Sequence, residues 1–333
     1  MPDLRTTVTE LATGLGMLGY PTVGDALAAR PGAMVSVSPE TWGLLAAAYS
    51  GEAHRDQFTA AWDNGRCFLA ANDGLRHRLP QTVEWKGSHQ APGDEVVPVD
   101  LRVDHVFLVS CKYLSRIVSN SAPSTLFTGA PRGQAPHGVD WFDTVAGPEY
   151  RALYNTVRAA LGAHELPARI ADLTAPHRRS LTAALASGWP GDAGAAYQAL
   201  TETVATASAD RWAAAMPTVT AQETTLWRLL RIGGAPYFLL GATTHGPLRL
   251  RVATRWDWRQ RYRFRRLHVE PQPGGQPRVR WQATAEDRMT GRDVSVEGHV
   301  EIRWSHGRFG GNPEAKVYLD TPHQAVPGYF SLD

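Results

Sequence analysis

The sequence predicts an α+β fold in which helical and strand-rich segments alternate along the chain. Three observations support this class: a Val-rich strand cluster over 82–118, an Ala/Leu-rich helical stretch over 165–232, and an alternating Arg/apolar pattern after residue 245. We therefore expect an α/β domain over 1–164, a helical linker region over 165–244 and a basic antiparallel β domain over 245–333.

The composition excludes several classes of protein. With 333 residues and 43% apolar side chains, the chain can bury one large core or two modest ones. It has no apolar run long enough to span a bilayer, and residues 1–30 lack the basic and apolar segments of a secretion signal. Cys67 and Cys111 are the only cysteines, which excludes a disulfide scaffold. These features predict a soluble cytoplasmic protein with no membrane partner.

Helices are predicted at the N-terminal end of the chain. Residues 8–18 form a short amphipathic stretch, and Ser38-Pro39 has the character of an N-cap followed by the first helical residue. The segment EAHRDQFTAAWDNGRCFLAA continues the helical pattern, with Phe58, Trp62 and Phe68 roughly on one side. These apolar side chains are candidates for the core.

The cluster over 82–118 reads as a three-stranded meander built from TVEWKGSH, VVPVDLRV and VFLVSCKYL. Asp100 precedes a tight turn at Asp104-His105, after which the chain returns along the third strand. Asp100 should therefore lie near the end of that strand occupied by Ser110 and Lys112. Because side chains alternate along a strand, Ser110 and Lys112 share a face. The spacing predicts that these three polar side chains project together.

An acid, a second polar group and a lysine suit metal-dependent phosphodiester hydrolysis. The carboxylate holds Mg²⁺ or Mn²⁺, the metal activates water, and the lysine stabilises charge or orients that water. Only three of the 34 Lys and Arg residues are Lys: Lys86, Lys112 and Lys316. In so Arg-rich a chain, a retained lysine is expected to have a specific role.

With this arrangement the sequence resembles the PD-(D/E)xK nuclease superfamily over roughly residues 50–165. The order is EAHRDQFTAAW, TVEWKGSH, VVPVDLRV, VFLVSCKYL and PEYRALYNTV, as helix, three strands and helix. The resemblance implies a restriction-endonuclease-like α/β core in which Asp100 ligates the metal, Glu52 or Asp56 completes its shell, and Lys112 positions water. Ser110 occupies the place of the usual second acid, which leaves the metal one carboxylate fewer.

A basic segment lies further along the chain. Between residues 247 and 281 there are ten Arg against two acidic residues, and aromatic side chains are interleaved with them. Arg can neutralise phosphates, and an exposed aromatic can stack on a base; a sheet with inward aromatics and a solvated Arg face is the alternative. The candidate nucleic-acid contacts are Arg255, Arg259, Arg261, Arg263, Arg266, Trp256 and Trp258. The pattern does not distinguish DNA from RNA.

Other motifs give weaker alternatives. Asp104-His105 is similar to the pair that opens ββα-metal nucleases, with Asn120 and His137 as poorly spaced partners, so a turn is favoured. Glu314 and Lys316 form a second ExK with Asp293 upstream, for which a loop-anchoring ion pair is the simpler interpretation. His299, His306 and His323 lack compact zinc spacing.

The sequence therefore favours a Mg²⁺- or Mn²⁺-dependent DNA endonuclease of restriction or phage-defence type. Such enzymes often cut two strands as homodimers, although no segment identifies an interface. Two alternatives stay open: a non-catalytic nucleic-acid-binding protein on a nuclease-like scaffold, and an interaction protein whose helical region docks a larger complex.

Overall fold

The computed structural model describes residues 3–87, 98–129, 139–272 and 274–332. The helices are α1 Leu4–Gly16, α2 Val23–Ala29, α3 Pro39–Ser50, α4 Arg55–Ala70, α5 Pro123–Phe127, α6 Trp141–Ala160, α7 Ala175–Ala184, α8 Ala193–Ala214, α9 Val219–Leu229 and α10 Arg255–Arg261. The strands are β1 Met34–Val35, β2 Val83–Trp85, β3 Leu101–Val103, β4 Phe107–Tyr113, β5 Ile117–Ser121, β6 Tyr237–Thr243, β7 Gly246–Val252, β8 Tyr262–Gln272, β9 Arg278–Asp287, β10 Arg292–Arg303, β11 Glu314–Leu319 and β12 Tyr329–Ser331.

The chain folds into two compact units, each assembled from separate stretches of sequence. The first unit comprises residues 1–116, 230–262 and 322–333, and the second comprises residues 117–229 and 263–321. These bounds differ from the three consecutive domains that the sequence suggested. Of the two stretches of the second unit, residues 117–229 lie in the sequence between strands β4 and β6 of the first unit, and residues 263–321 lie between α10 and β12.

The first unit contains a mixed seven-stranded sheet in the order β1-β2-β3-β4-β6-β7-β12. Strands β2, β3 and β4 pair antiparallel, which confirms the predicted meander. Strand β6 then runs parallel to β4. A parallel neighbour requires a crossover connection, and here residues 114–236 supply it.

Helices α1 and α4 cover one face of this sheet. The core includes Val8 and Leu11 from α1, Phe58 and Trp62 from α4, and Val109 from β4. The two helices approach closely where Gly16 meets Gly65, since a Cβ on either residue would strike backbone atoms of the opposite helix. Ser38 accepts a hydrogen bond from the backbone N–H of Thr41, and this confirms the predicted cap of α3.

The second unit contains an antiparallel five-stranded sheet in the order β5-β11-β10-β9-β8. Buried and exposed residues alternate along β9 and β11, as the sequence predicted. The Ala/Leu-rich stretch forms α7, α8 and α9, and α8 packs on α6 and on β9. The stretch is therefore part of the core of this unit, which differs from the expected linker.

Two expectations for the C-terminal half are corrected. Residues 255–261 form helix α10, where the alternating pattern predicted a strand, because Thr254 and Asp257 make a capping box. Strand β7 belongs to the first sheet and pairs with β6 and β12, so the second sheet does not begin at residue 245.

The fold class is thus mixed α and β, with one mixed sheet and one antiparallel sheet. None of the helices in the described ranges is both long and apolar enough to cross a membrane.

Candidate active site

The predicted meeting of Asp100 and Ser110 is present in the structure. Leu101 pairs with Val109, so Asp100 stands opposite Ser110 in the hairpin. Its carboxylate Oδ2 accepts a hydrogen bond from Ser110 Oγ at 3.2 Å and one from the backbone N–H of Cys111 at 2.6 Å. The Asp100 carboxylate is thereby fixed against strand β4 by groups on that strand.

Lys112 lies two residues beyond Ser110, next to strand β6. It pairs with Gly241 in the parallel ladder, and a Cβ at residue 241 would strike the Lys112 carbonyl oxygen. The Gly241 carbonyl accepts a hydrogen bond from the Asn64 amide at 2.8 Å, and Asn64 in turn accepts one from Arg249 at 2.9 Å. A glycine and a buried amide therefore set the position of β6 beside Lys112.

Glu10 of helix α1 is the second carboxylate of the site, and the sequence analysis missed it. Its side chain is 5% exposed, and Oε2 accepts a hydrogen bond from Trp85 Nε1 at 2.6 Å. The charge of Asp100 acts on Glu10, and so does that of Lys112. A signal was present in the sequence: Glu10 is the one acidic residue in the amphipathic stretch 8–18, whose other residues are apolar or small.

Burial disfavours ionisation throughout this group. Burial and the negative charge of Asp100 raise the pKa of Glu10 from 4.5 to about 8, although the hydrogen bond from Trp85 acts to lower it. Burial also raises the pKa of Asp100, although Cys111 N–H and Lys112 oppose the change. Burial lowers the pKa of Lys112, against the attraction of Asp100. Two carboxylates held together in a partly dry site are poised to gain from a cation.

A second cation, Arg231, acts on the same group and was also missed. Its positive charge favours the ionised form of Asp100 and disfavours that of Lys112. Its backbone is left-handed, with φ of 55°, a conformation that costs energy for a residue with a side chain. His323 lies near enough for the charge of Lys112 to act on it, and burial followed by that charge lowers its pKa, which favours the neutral imidazole.

The oxygen donors of this site suit Mg²⁺ or Mn²⁺, which are commonly bound with several water ligands. They are too few to surround a metal ion with protein ligands alone. Glu10 and Asp100 could offer two hard oxygen ligands, and the Ser110 hydroxyl, which donates to Asp100, lies beside them. Mg²⁺ is commonly bound by one or two carboxylates, with water and substrate phosphate completing the shell. No cluster of three or more His, Cys, Asp or Glu suited to a metal occurs within the described ranges, so Glu10 and Asp100 would hold the ion only together with water or substrate.

The structure places the two acids expected from the helix after residue 50 elsewhere. Glu52 is 88% exposed and forms an ion pair with Arg55 at 3.7 Å. Asp56 lies exposed in the first turn of α4. Both border a shallow surface pocket that also includes Arg5 and Tyr113. Helix α4 turns its apolar side to the core and Asp56 to solvent, Glu52 lies in the exposed turn before this helix, and α1 supplies the buried carboxylate.

The helix PEYRALYNTV forms as predicted within α6, but it belongs to the second unit. The resemblance implied that this helix follows the meander within the same domain. In the structure the helix and the meander belong to different compact units. The chain reaches the second unit directly after β4.

The candidate nucleic-acid contacts are divided between the two units. Arg255, Arg259 and Arg261 lie on α10 in the first unit, whereas Arg263 and Arg266 lie exposed on β8 in the second. Trp258 is fully buried and donates a hydrogen bond to the Pro327 carbonyl at 3.1 Å, so its role is structural. Trp256 is 69% exposed and is the aromatic side chain available for stacking.

Much of the positive charge on the second sheet is balanced by neighbouring strands. Arg278 pairs with Glu301 at 2.6 Å and Arg280 pairs with Glu297 at 2.7 Å. Glu286 pairs with Arg265, and with Arg263 at 3.8 Å. The excess of arginine over residues 247–281 therefore overstates the net positive charge of the second sheet.

The weaker motifs have structural roles. Asp104 accepts hydrogen bonds from the backbone N–H groups of Gln81 and Thr82, and both Asp104 and His105 have the positive φ of a turn. Of the partners that a ββα-metal site would need, Asn120 donates to Glu314, and His137 lies outside the described residues.

The second ExK does not form a site with Asp293. Glu314 pairs with Arg303 in the ladder, whereas Asp293 lies ten residues earlier on the same strand, on the order of 33 Å away. Glu314 accepts hydrogen bonds from Asn120 and Ser305 and lies 3.8 Å from Lys316. These contacts anchor the loop before β11.

Comparison of the chain with protein-family models, with curated proteins and with solved structures gives no match.

Proposed function

We propose that the chain is a divalent-metal-dependent nuclease that hydrolyses phosphodiester bonds of DNA in the cytoplasm. The observation that carries the proposal is the convergence of Glu10, Asp100 and Lys112, contributed by a helix and by two paired strands. A helix followed by a meander that carries Asp and then x-Lys is the order implied by the resemblance to PD-(D/E)xK nucleases. Helix α1 fills the place of the first helix.

Each residue has a distinct role in this proposal. Glu10 and Asp100 would hold the metal, which supplies a polarised phosphoryl oxygen and an activated water when bound. Ser110 and the Cys111 N–H orient the Asp100 carboxylate. Lys112 stabilises negative charge on the phosphate or orients the attacking water. Arg231 adds a second positive charge at the same place, which favours an anionic substrate.

The test is cleavage of unmodified and modified plasmid DNA in Mg²⁺, in Mn²⁺ and in EDTA. We expect metal-dependent cutting by the wild-type protein and losses of at least about 100-fold for Lys112→Ala and Glu10→Gln, the scale of a removed electrostatic or acid-base contribution. Glu52→Gln is the matched control, because it removes an exposed acid from the neighbouring helical segment. Equal cutting by Lys112→Ala would refute the assignment, and loss in Glu52→Gln with retention in Glu10→Gln would refute this choice of site.

A second candidate function is a non-catalytic nucleic-acid-binding protein on the same scaffold. Ser110 favours it, since a hydroxyl stands where a third carboxylate would strengthen metal binding. This reading predicts salt-sensitive retention of DNA without divalent ions and no cutting under any condition. A gel-shift series in EDTA, run beside the cleavage assay, separates the two functions.

The proposed enzyme would act on duplex DNA as a homodimer, since both strands must be cut. Sedimentation velocity with and without a DNA duplex tests this part. A monomer on DNA that nevertheless makes double-strand breaks would contradict it.

A further inference from the structure

A second polar cavity lies in the second unit, in residues that play no part in the proposed nuclease. Its volume is about 390 Å³, and its walls come from α6, from the segment 168–171, from α7 and from Asn312. Small-molecule sites occupy roughly 300–1,000 Å³, so the cavity is of the size of a small metabolite.

The floor of the cavity contains a buried hydroxyl without a partner. Tyr150 is fully buried, and its Oη forms no hydrogen bond with any residue in the described part of the chain. Asp140 and the Trp304 indole are near enough to interact weakly with it as hydrogen-bonding groups, but neither contact has the geometry of a full hydrogen bond, and the Trp304 N–H has none either. A buried polar group without a full hydrogen bond is unfavourable, so a ligand atom that reaches Tyr150 Oη would gain a hydrogen bond there.

Two opposite charges face the same cavity without joining. Asp140 caps α6 and accepts a hydrogen bond from the Phe142 N–H at 3.0 Å, which leaves carboxylate lone pairs for another donor. Arg178 of α7 donates one N–H to the Phe309 carbonyl at 3.1 Å and keeps its remaining donors. Its charge favours the ionised form of Asp140, but no ion pair within 4 Å joins them in the described residues.

The remaining charges of the cavity are already paired. Arg151 lies 3.5 Å from Asp143, and Arg169 lies 3.9 Å from Asp172. A purely anionic ligand would meet Asp140 on the floor, and a purely cationic one would meet Arg178. The geometry therefore favours a ligand that carries both charges.

We propose that this cavity binds a zwitterionic small molecule of the α-amino-acid class, with its carboxylate on Arg178 and its ammonium on Asp140. The Tyr150 hydroxyl would donate to the ligand carboxylate. The site would be independent of the nuclease chemistry, and neither proposal requires the other.

Isothermal titration calorimetry of the full chain with each of the twenty common amino acids tests the proposal. We expect saturable binding of at least one of them. Its N-acetyl derivative and its methyl ester, which each lack one charge, should bind about 10- to 100-fold more weakly, the range of one charge-assisted hydrogen bond. If no amino acid binds, or if the N-acetyl derivative or inorganic phosphate binds as tightly, the proposal is wrong.

The variants are chosen to keep the fold. Asp140→Asn preserves the cap of α6, because Asn caps as well as Asp, and it should weaken binding at least about 10-fold. Tyr150→Phe keeps the stacking on Phe309, whose ring lies 5.8 Å away, and should weaken binding less. Glu202→Gln, at an exposed acid of α8 that does not line the cavity, is the matched control and should bind like the wild type. Wild-type affinity in Asp140→Asn would overturn the proposal.

Discussion

Glu10 offers the most direct test of the buried carboxylate pair. Its pKa rises from 4.5 to about 8 in the folded chain because burial and the charge of Asp100 disfavour its ionisation. Below pH 4.5 both states hold the proton, so the carboxylate has no effect on the free energy of unfolding. As the pH rises from 4.5 to about 8, the unfolded chain releases its proton first, and the folded state loses stability.

The magnitude follows from the same pKa difference. One pKa unit is about 1.4 kcal/mol, so full ionisation of Glu10 lowers the free energy of unfolding by about 5 kcal/mol above pH 8. Glu10→Gln removes this ionisation and keeps an oxygen for the Trp85 indole. We expect the variant and the wild type to be similar at pH 4.5 and the variant to be more stable by several kcal/mol at pH 9.

The assay is urea unfolding in EDTA at a series of pH values, with both proteins at each pH so that other titrating groups cancel. Glu52→Gln is the control, since its carboxylate is exposed, and it should follow the wild type throughout. A difference between Glu10→Gln and the wild type that does not change with pH would refute the reasoning, and so would a variant that is less stable at pH 9.

Three further outcomes are expected. Mg²⁺ should raise the free energy of unfolding of the wild type by about 2.7 kcal/mol at a concentration one hundred times its dissociation constant. Asp100→Asn should abolish this stabilisation in a thermal shift assay, and an unchanged stabilisation would contradict the metal site. Gly241→Ala should lower the free energy of unfolding by about 1–3 kcal/mol because its Cβ meets the neighbouring strand, whereas Gly43→Ala, in open space on α3, should be neutral or stabilising. Trp258→Ala should cost about 3–5 kcal/mol, while the exposed Trp256→Ala should stay within about 0.5 kcal/mol; equal effects in denaturant unfolding would contradict these placements.

The meander could be predicted because its contacts are local. Asp100 and Ser110 are ten residues apart, and alternation with one tight turn is enough to bring them together. The same reasoning applies to β8–β11, where antiparallel neighbours follow one another closely in sequence. Loop length and side-chain period determine such pairings.

The second carboxylate could not be placed in this way. Glu10 is 90 residues from Asp100 in sequence, and their meeting depends on how α1 packs against α4 and the sheet. Glu52 and Asp56 were expected there because the resemblance implies an acid from the helix that precedes the meander. The structure instead leaves both acids in solvent, Glu52 in the turn before α4 and Asp56 in the first turn of α4. A single acid in an otherwise apolar or small stretch, such as Glu10, is a better guide to a buried site. Such a stretch packs in the core, and a Glu that is buried with it is rarely without a partner.

The arginine-rich segment shows a second limit of sequence reasoning. The arginines of this segment are close together in sequence, but the acids that pair with them are not. Glu297 and Glu301 come from β10, beside the arginines of β9. A sheet brings opposite charges together across neighbouring strands. The net charge of a single segment therefore does not include the acids on the next strand. The helix over 255–261 was missed for a local reason, since Thr254 with Asp257 is a capping box that outweighs the apparent alternation.

The order of the site along the chain bears on how it is assembled. Glu10, Asp100 and Lys112 precede the inserted segment 117–229, whereas Arg231 and the supporting Gly241 follow it. Strand β6 can pair with β4 only after that long crossover is closed, so the carboxylates are present in sequence well before the backbone that positions Lys112. The carboxylate pair depends on α1, α4 and the meander, all of which precede the insertion, whereas the basic side of the site is complete only when β6 pairs in parallel with β4. A metal held by Glu10 and Asp100 would therefore depend on the part of the chain before the insertion, and Arg231, in the turn between α9 and β6, would add its positive charge to the proposed site only from the part after it.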